Sequence, residues 1–210
     1  MVHGGPGWPV VLTDGPVRLR PLRRGDEPAW MRLRVQNAAW LEPWDATSPA
    51  PAAGRRPTFG QFVRSLDRQA RQGASLPFAV DVDGSLAGQL TVSGITYGSL
   101  YSASIGYWVS EHVAGRGVTP TAVALATDHC FRALGLHRVE VNIRPENGPS
   151  LRVVHKLGFR DEGLRERYLH IQGVWRDHRS FALTAEEVPG GLLARWHDVQ
   201  RSGAAGITPM

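Results

Sequence analysis

Short stretches in which apolar and polar residues alternate recur along this chain and predict strands. Apolar and polar side chains alternate in residues 17–20 and again in residues 139–144, a period of two that is typical of a strand with one buried face. The turn pairs Asp14-Gly15 and Asp83-Gly84 each join two such stretches, which predicts two hairpins. The remaining predicted strands cover residues 10–12, 78–82, 86–92, 102–110, 168–171 and 177–183.

Between the strands, apolar residues recur at helical spacing. In residues 59–66 they fall at i, i+3, i+4 and i+7, which predicts an amphipathic helix, and Asp67 and Arg71 are expected to pair on its outer face. An alanine-rich helix is predicted from Val118 to Leu134, with Gly135 as its stop. Three shorter helices are predicted: one after an N-cap at Asp26, one with Pro149 in its first turn, and one from Leu192 to Val199.

The predicted elements follow the order β-β-α-α-β-β-β-α-β-α-β-β. Antiparallel hairpins come first and βα crossovers later, so we expect a mixed α/β (α+β) fold and not a doubly wound Rossmann fold. One domain is expected over residues 10–185, followed by a C-terminal extension and tail over residues 186–210. A Pro/Ala-rich connector from Ser48 to Pro57 is expected to be exposed, and Arg201 to Met210 is interpreted as tail.

The composition narrows the classes of function. No apolar run reaches ~18 residues, and the N-terminus lacks a basic start before an apolar stretch, so neither a membrane span nor a signal peptide is expected. The single cysteine, Cys130, cannot form an internal disulfide, which fits a buried structural thiol in a cytoplasmic protein. The net charge is +5, but arginine is spread along the whole chain, which argues against a dedicated nucleic-acid face and suits an anionic ligand. The eight histidines have no partners at ligand spacing, so no metal is expected.

A glycine loop is the stretch most indicative of chemistry. The strand-like run Ile105–Val109 leads into the loop Ala114–Thr119, where the alanine-rich helix begins. A Gly-rich turn between a strand and a helix N-terminus leaves backbone N–H groups free, and these groups together with the helix dipole favour an anion. Glycine also lets the backbone approach a phosphate without a Cβ in the way. A tight turn without a ligand is the alternative interpretation.

Short motifs follow one another along the chain. They are Leu19-Arg20-Pro21-Leu22, Leu41-Glu42-Pro43-Trp44, Ile105-Gly106-Tyr107-Trp108-Val109, Gly115-Arg116-Gly117, Leu136-His137-Arg138-Val139-Glu140, Asn147 with Ser150, Tyr168-Leu169-His170-Ile171 and Gly173-Val174-Trp175-Arg176-Asp177-His178. In this order they resemble the GNAT acyltransferase superfamily and, within it, the RimJ/RimL group of protein N-terminal acetyltransferases. The resemblance covers roughly Val10 to Ala185 and implies a GNAT fold: a mostly antiparallel, twisted sheet with a V-shaped splay between two strands, flanked by helices. It also implies an acetyl-CoA-dependent N-acetyltransferase.

The resemblance places acetyl-CoA between two splayed strands, residues 102–110 and 138–144, without a metal. Trp108 and Val109 are expected to pair through their backbone with the pantetheine arm, whose two amides allow peptide-like pairing. Arg116 either adds charge to a phosphate or points to solvent. The pyrophosphate is expected to lie on backbone N–H groups of the loop, formed by Val113, Ala114, Gly115, Arg116, Gly117, Val118 and Thr119.

Asn147 and Ser150 are the next expected parts of this site. The resemblance implies that Asn147 hydrogen-bonds the pantetheine, and capping of the short helix is the alternative. Many GNAT enzymes carry a tyrosine seven residues beyond this asparagine as the general acid, and here that position is Val154. The RimL-like pattern instead has a serine, so Ser150 is expected to be catalytic and to donate a hydrogen bond to the leaving sulfur. The alternative is a helix N-terminal serine that satisfies backbone donors.

The general base has no single candidate. An amine with a pKa near ~8 must lose a proton before it attacks a thioester. Many relatives supply a glutamate two residues before the Gly-Tyr-Trp motif, where this chain has Ser104. Glu42 is the first catalytic candidate, directly or through water, and a structural carboxylate is the alternative; Glu111 and His112 are expected to serve loop structure. In a third interpretation no dedicated base exists, because an N-terminal α-amine is already partly neutral near pH 7 and positioning suffices.

The expectation about the acceptor rests on the resemblance alone. Tyr107 and Tyr168 are expected to bind the substrate, with core packing as the alternative, and Trp175 and His178 have the same two interpretations. Direct transfer in a ternary complex is expected, with the N-terminal α-amine of a protein, such as a ribosomal protein, as the favoured acceptor. A small amine, such as an antibiotic or a metabolite, and a CoA-binding regulatory module without turnover are the competing functions. No sequence-specific nucleic-acid partner is expected, and the chain is expected to be a monomer or a homodimer.

Overall fold

The computed structural model describes residues 8–50 and 57–205, and within them the chain forms one eight-stranded sheet. The strands are β1 (Leu12–Asp14), β2 (Val17–Pro21), β3 (Ser75–Val82), β4 (Ser85–Thr96), β5 (Ser102–Val109), β6 (Arg138–Ile143), β7 (Arg160–Ile171) and β8 (Val174–Thr184). Across the sheet they follow the order β1-β2-β3-β4-β5-β6-β8-β7. Neighbouring strands are antiparallel except β5 and β6, which are parallel. The predicted mixed α/β class, with a mostly antiparallel sheet, is confirmed.

Helices cover both faces of this sheet. They are α1 (Glu27–Gln36), α2 (Ala38–Leu41), α3 (Phe59–Arg71), α4 (Val118–Arg132), α5 (Gly148–Leu157) and α6 (Leu192–Ala205). Successive side chains of β3 point to opposite faces of the sheet and pack against different helices. Phe78 and Val80 belong to the main core with residues of α4, α5 and α6, whereas Ala79 packs against α3 on the other face. The predicted pair on α3 is present, with Arg71 Nε donating to Asp67 Oδ2 at 2.9 Å.

A buried ion group ties the first hairpin to the rest of the sheet. Alternation along β2 predicted Arg20 on the polar face, yet this residue is only 8% exposed. Its guanidinium donates to Asp81 on β3 at 2.6 Å and to Asp26 ahead of α1 at 2.8 Å. Asp26 precedes α1 as predicted, but its side chain does not cap that helix, because the carboxylate accepts hydrogen bonds from Arg20 and from the Arg23 N–H. A buried charge is costly to leave unpaired, so Arg20 fixes the positions of both elements.

The last two strands are longer than predicted. They were predicted over residues 168–171 and 177–183, but β7 begins at Arg160 and β8 runs from Val174 to Thr184. Most of β7 is exposed on both faces, so no alternation of apolar and polar residues marks it in the sequence. Cross-strand pairing with β8 defines it instead, since the hairpin register runs from Arg160 opposite Ala182 to Ile171 opposite Val174.

The C-terminal helix is also longer than predicted. It was predicted to end at Val199, but α6 continues to Ala205, so residues 201–205 are helical and not tail. Trp196 on α6 is buried, and its indole Nε1–H donates to Thr121 Oγ1 on α4 at 2.9 Å. Residues 51–56 of the predicted connector and residues 206–210 of the predicted tail lie outside the described residues.

Gly88 on β4 is expected to be essential for packing β4 against β5. A Cβ at this position would lie 2.3 Å from the Trp108 carbonyl oxygen and 2.9 Å from Val109 Cα, both backbone atoms of β5. We expect Gly88→Ala to lower the free energy of unfolding by about 1–3 kcal/mol, because an overpacked backbone contact must be relieved by moving a strand. Urea unfolding checks this. Gly106→Ala on β5 is the matched control, since its Cβ would meet no heavy atom within 4 Å; equal losses in the two variants would contradict the explanation.

Candidate active site

The strands β5 and β6 separate part-way along their length and form a fork. Three residue pairs join them, ending with Ser104 opposite Glu140. Beyond that pair β5 continues to Val109 and remains paired only with β4. The fork therefore leaves one edge of residues 105–109 without a strand partner, and the predicted splay is present.

The register with β4 shows which backbone groups face the fork. The Ser110 N–H donates to the Ala87 carbonyl at 2.8 Å, so residues 106, 108 and 110 direct their backbone groups toward β4. Tyr107 and Val109 consequently direct theirs into the fork. The Val109 carbonyl accepts a hydrogen bond from Trp40 Nε1 at 3.2 Å. The expected backbone pairing of Trp108 with the pantetheine arm does not fit this register, because the Trp108 backbone faces β4, although Trp108 still lines the cleft.

A cleft of about 610 Å³ occupies the fork and extends to both sides of it. One end is formed by the segment that follows α1, including Trp40, Trp44 and Asp45, and the other by the glycine loop and α5. Its volume is within the range of small-molecule sites. No group of three His, Cys, Asp or Glu side chains suited to a metal occurs among the described residues.

The glycine loop has the geometry of an anion site. Gly115 and Gly117 have φ angles of +79° and +81°, which favour glycine because an L side chain is strained there. Gly117 is the N-cap of α4 and no side chain caps it, so the first N–H groups of the helix stay available. The cleft is lined here by Ala114, Gly115, Gly117, Val118 and Thr119.

Two of the residues predicted to hold the pyrophosphate, Val113 and Arg116, do not line the cleft. Val113 is 2% exposed and belongs to the main core, so only its backbone is close to the loop. Arg116 is exposed and is not among the cleft-lining residues, and among the described residues it forms no ion pair. Two other cations, Arg152 and Lys156 on α5, line this end of the cleft.

Asn37, which the sequence did not single out, anchors the strand end that leads into the loop. It is 5% exposed, and its Oδ1 accepts hydrogen bonds from the Glu111 N–H at 2.8 Å and from Ser110 Oγ at 3.1 Å. Its Nδ2 donates to the Leu33 carbonyl at 2.8 Å. His112 Nδ1 hydrogen-bonds Ser110 Oγ at 2.7 Å. An asparagine at a helix junction has no sequence pattern of its own, so only the fold reveals this anchor.

The N-terminus of α5 brings Asn147 and Ser150 into the cleft. Asn147 caps the helix, with its Oδ1 accepting a hydrogen bond from the Ser150 N–H at 3.1 Å. Helix capping was one of the two interpretations predicted for this residue. Ser150 lies in the first turn and lines the cleft, and within the described residues its hydroxyl makes no hydrogen bond to the backbone. Val154 is fully buried in the main core, so no side chain from the next turn reaches the cleft at that position.

The two predicted substrate tyrosines differ in their surroundings. Tyr107 borders the cleft and packs against the main core, and its hydroxyl oxygen is buried beside Ser150 without satisfying hydrogen-bond geometry to any described residue. Burial raises the pKa of Tyr107 to about 12. Tyr168 is 38% exposed on β7 and is not among the cleft-lining residues; its ring packs against His178 at a centroid distance of 5.6 Å, with the Arg165 guanidinium 5.1 Å from its centre.

Three carboxylates lie around the fork. Glu140 lies beside Ser104 in the register, but Arg138 Nε donates to one of its oxygens at 2.9 Å and Arg165 to the other at 2.8 Å. Glu42 is exposed and is not among the cleft-lining residues, although Pro43 next to it is. Asp45 lines the cleft and is paired with Arg34, a residue pair that sequence reasoning missed.

Arg34 also bridges two aromatic rings on this side of the sheet. Its guanidinium carbon lies 5.3 Å from the centre of the Trp108 ring and 5.8 Å from that of Trp30. A cation between two indoles and a carboxylate is held by several weak attractions at once, which fixes the Trp108 side chain on the cleft wall.

The chain was compared with known proteins. Residues 17–160 match the family model described as "Acetyltransferase (GNAT) domain". A solved structure of Mycobacterium smegmatis RimJ in complex with CoA-disulfide is 40% identical, with a TM-score of 0.85, covering 94% of this chain and 98% of that one. The probable N-acetyltransferase YjcK of Bacillus subtilis is 30% identical over 176 residues, 82% of this chain and 96% of that protein. The [ribosomal protein uS5]-alanine N-acetyltransferase of Escherichia coli is 30% identical over 174 residues, 79% of this chain and 87% of that protein.

Proposed function

The chain belongs to the GNAT acetyltransferase family, and we propose that this acetyl-CoA-dependent N-acetyltransferase acts on the N-terminal α-amine of a protein, in particular a ribosomal protein. The observation that carries the reaction is the fork, which presents an unpaired strand edge between a helix N-terminus with Ser150 and a glycine loop. The acceptor is supported by the Escherichia coli relative, which is named for an alanine of ribosomal protein uS5. Ribosomal proteins are made in the cytoplasm, so we place the reaction there.

The cleft offers groups for two parts of acetyl-CoA, the pyrophosphate and the pantetheine arm. We assign the pyrophosphate to backbone N–H groups of Gly115, Gly117, Val118 and Thr119, which no side chain caps. The backbone groups of Tyr107 and the Val109 N–H face the fork and suit the two amides of the pantetheine arm, whereas the Val109 carbonyl is already bound by Trp40. Asn147 uses only its carbonyl oxygen for the helix cap, and its Nδ2 group is left as a donor toward the arm.

We propose direct transfer from the thioester to the amine. The amine nitrogen forms a bond to the acetyl carbon, the C–S bond breaks, and the thiolate leaves with its electron pair. Ser150 donates a hydrogen bond to this sulfur, which stabilises the negative charge where it develops. A covalent acetyl-cysteine route is disfavoured because Cys130 is fully buried and burial raises the pKa of its thiol to about 12.

The proton of the amine is removed near the segment that follows α2. We propose that Glu42 accepts it through water, since this carboxylate is exposed beside Pro43, which lines the cleft. Asp45 is nearer but is already paired with Arg34. A remote, water-mediated base suits an amine that is partly neutral before it binds.

The acceptor is tested with a panel of amines and acetyl-CoA, with CoA thiol release as the measurement. We expect turnover with peptides that begin with alanine or serine and carry no lysine. The same peptides with a blocked N-terminus and one internal lysine should react about 100-fold more slowly at pH 7, because a lysine amine has a pKa near ~10.4 and an α-amine near ~8. Turnover with spermidine or other small amines but with none of the peptides would move the acceptor to the small-amine class. Acetyl-CoA binding without any turnover would support a regulatory module.

Ser150→Ala is expected to lower kcat by about 10- to 100-fold, because one donor to the developing thiolate is lost. The KM for acetyl-CoA should stay within about twofold. Initial rates with the best peptide measure both values. Ser93→Ala is the matched control, since Ser93 also lines the cleft but donates its hydroxyl to the Ser104 carbonyl at 3.4 Å. An unchanged kcat in the Ser150 variant would remove its role in departure of the sulfur.

Glu42→Gln is expected to lower kcat by about 3- to 10-fold and to flatten the acidic limb of the kcat–pH profile. Glutamine cannot accept the proton of the amine, so the part of the rate that depends on this carboxylate is lost. Rates measured between pH 5 and 9 with a peptide acceptor check this, and Asp45→Asn is the comparison variant. An acidic limb that persists without Glu42 and disappears without Asp45 would transfer the assignment to Asp45.

A further inference from the structure

The Tyr107 hydroxyl is a buried polar group that the proposed chemistry does not yet use. Its oxygen is inaccessible to solvent and has no hydrogen-bond partner among the described residues. A buried hydroxyl without a partner costs free energy relative to a phenyl ring of the same shape. Such a group in a cleft is explained if a side chain beside it comes into hydrogen-bond geometry when the cleft is occupied.

The position of Tyr107 follows from the fork. The last pair between β5 and β6 is Ser104 with Glu140, so Tyr107 lies three residues beyond the point where β6 departs. Its side chain alternates with that of Trp108 and lies on the core side of the sheet, packed with the cluster that includes Ile105 and Val109. The first turn of α5 lines the same cleft as Tyr107, and Ser150 in that turn is the side chain beside the hydroxyl.

We propose that Tyr107 is a positioning residue for the leaving-group step: its hydroxyl donates a hydrogen bond to Ser150 Oγ and thereby directs the serine O–H toward the sulfur. The proposal rests on the proposed role of Ser150. A serine hydroxyl has one proton and two lone pairs, so a donor on the lone-pair side aligns the proton with the opposite side. It also makes the serine O–H a stronger donor, since linked hydrogen bonds polarise one another.

The surroundings of Ser150 favour Tyr107 over other donors. Asn147 presents its carbonyl oxygen to the Ser150 N–H and so orients the backbone, not the hydroxyl. Burial raises the pKa of the Tyr107 phenol to about 12, so it stays protonated over the whole working range and acts as a donor and not as a base. No proton leaves Tyr107 in this step; it holds the serine while the C–S bond breaks.

Tyr107→Phe isolates the hydroxyl from the packing of the ring. We expect kcat with a peptide acceptor to fall about 10-fold and the KM for acetyl-CoA to stay within about twofold. The unfolding temperature of the free protein should be unchanged or higher, because the variant removes a buried hydroxyl that lacks a partner. Tyr101→Phe, at a tyrosine that is 40% exposed and outside the cleft lining, is the matched control.

The double variant Tyr107→Phe with Ser150→Ala separates positioning from packing. If Tyr107 acts through Ser150, the double variant should have the kcat of Ser150→Ala alone. Losses that multiply, or an unchanged kcat in Tyr107→Phe, would overturn the proposal. A fall in kcat accompanied by a lower unfolding temperature would assign Tyr107 to packing alone.

A second readout needs no acceptor and therefore separates this inference from the proposed function. Bound CoA should show a lowered thiol pKa, followed by ultraviolet absorbance of the thiolate below pH ~9, where tyrosines stay protonated. Both Tyr107→Phe and Ser150→Ala should raise this pKa toward that of free CoA. A lowered pKa that depends on both residues, in a protein that acetylates none of the tested amines, would uphold the inference while the proposed function fails. If Ser150→Ala raises the thiol pKa of bound CoA and Tyr107→Phe leaves it unchanged, the inference about Tyr107 is wrong. The proposed function is not affected by that result.

Discussion

The fork between β5 and β6 is the constraint on which the rest of the structure depends. A sheet that splits leaves backbone groups unpaired, and buried backbone groups are rarely left without partners. Next to the base of the fork, Glu140 on β6 accepts hydrogen bonds from Arg138 on the same strand and from Arg165 on β7, and Arg138 also holds the pKa of Glu162 on β7 at about 2. These ion pairs connect β6 with β7, whereas β5 and β6 are joined by three residue pairs that end at Ser104. Beyond that point an extended ligand with amides finds a strand edge to pair with.

Hydrogen bonds from both sides of the cleft hold its walls in place without a ligand. Asn37 fixes the end of β5 through the Glu111 N–H, and Trp40 reaches the Val109 carbonyl. On the far side Arg144 donates to the Pro43 carbonyl at 2.7 Å, and the Thr47 N–H donates to the His170 carbonyl at 2.8 Å. These contacts connect the segment after α2 to β6 and β7, so one side of the acceptor approach is built by residues far apart in sequence. Because the site is already ordered, less of the free energy of ligand binding is used to order it, and more is left to position the reacting groups.

Sequence patterns predicted the parts of this molecule that local physics determines. Alternation and turn pairs located the hairpins, and the glycine loop and the Asn147–Ser150 pair were located because helix N-termini have their own residue preferences. Arg20 was misplaced because only Asp26 and Asp81, brought together by folding, make its burial tolerable. Asn37 and Asp45 were missed for the same reason: each acts through contacts with residues distant in sequence, which spacing along the chain does not encode.

The side chains around the cleft support the proposal of an N-terminal α-amine as acceptor. The carboxylates near the fork are either paired with arginines, as Glu140 and Asp45 are, or exposed, as Glu42 is, whereas Ser150 lines the cleft. We therefore expect the site to assist departure of the thiolate more than removal of the proton. At pH 7 an α-amine with a pKa near ~8 is about one-tenth neutral, whereas an amine near ~10.4 is neutral in fewer than about one molecule in a thousand. We therefore propose that a weak base selects the acceptor, because about one-tenth of an N-terminal α-amine is neutral before it binds, whereas almost none of a lysine or polyamine amine is.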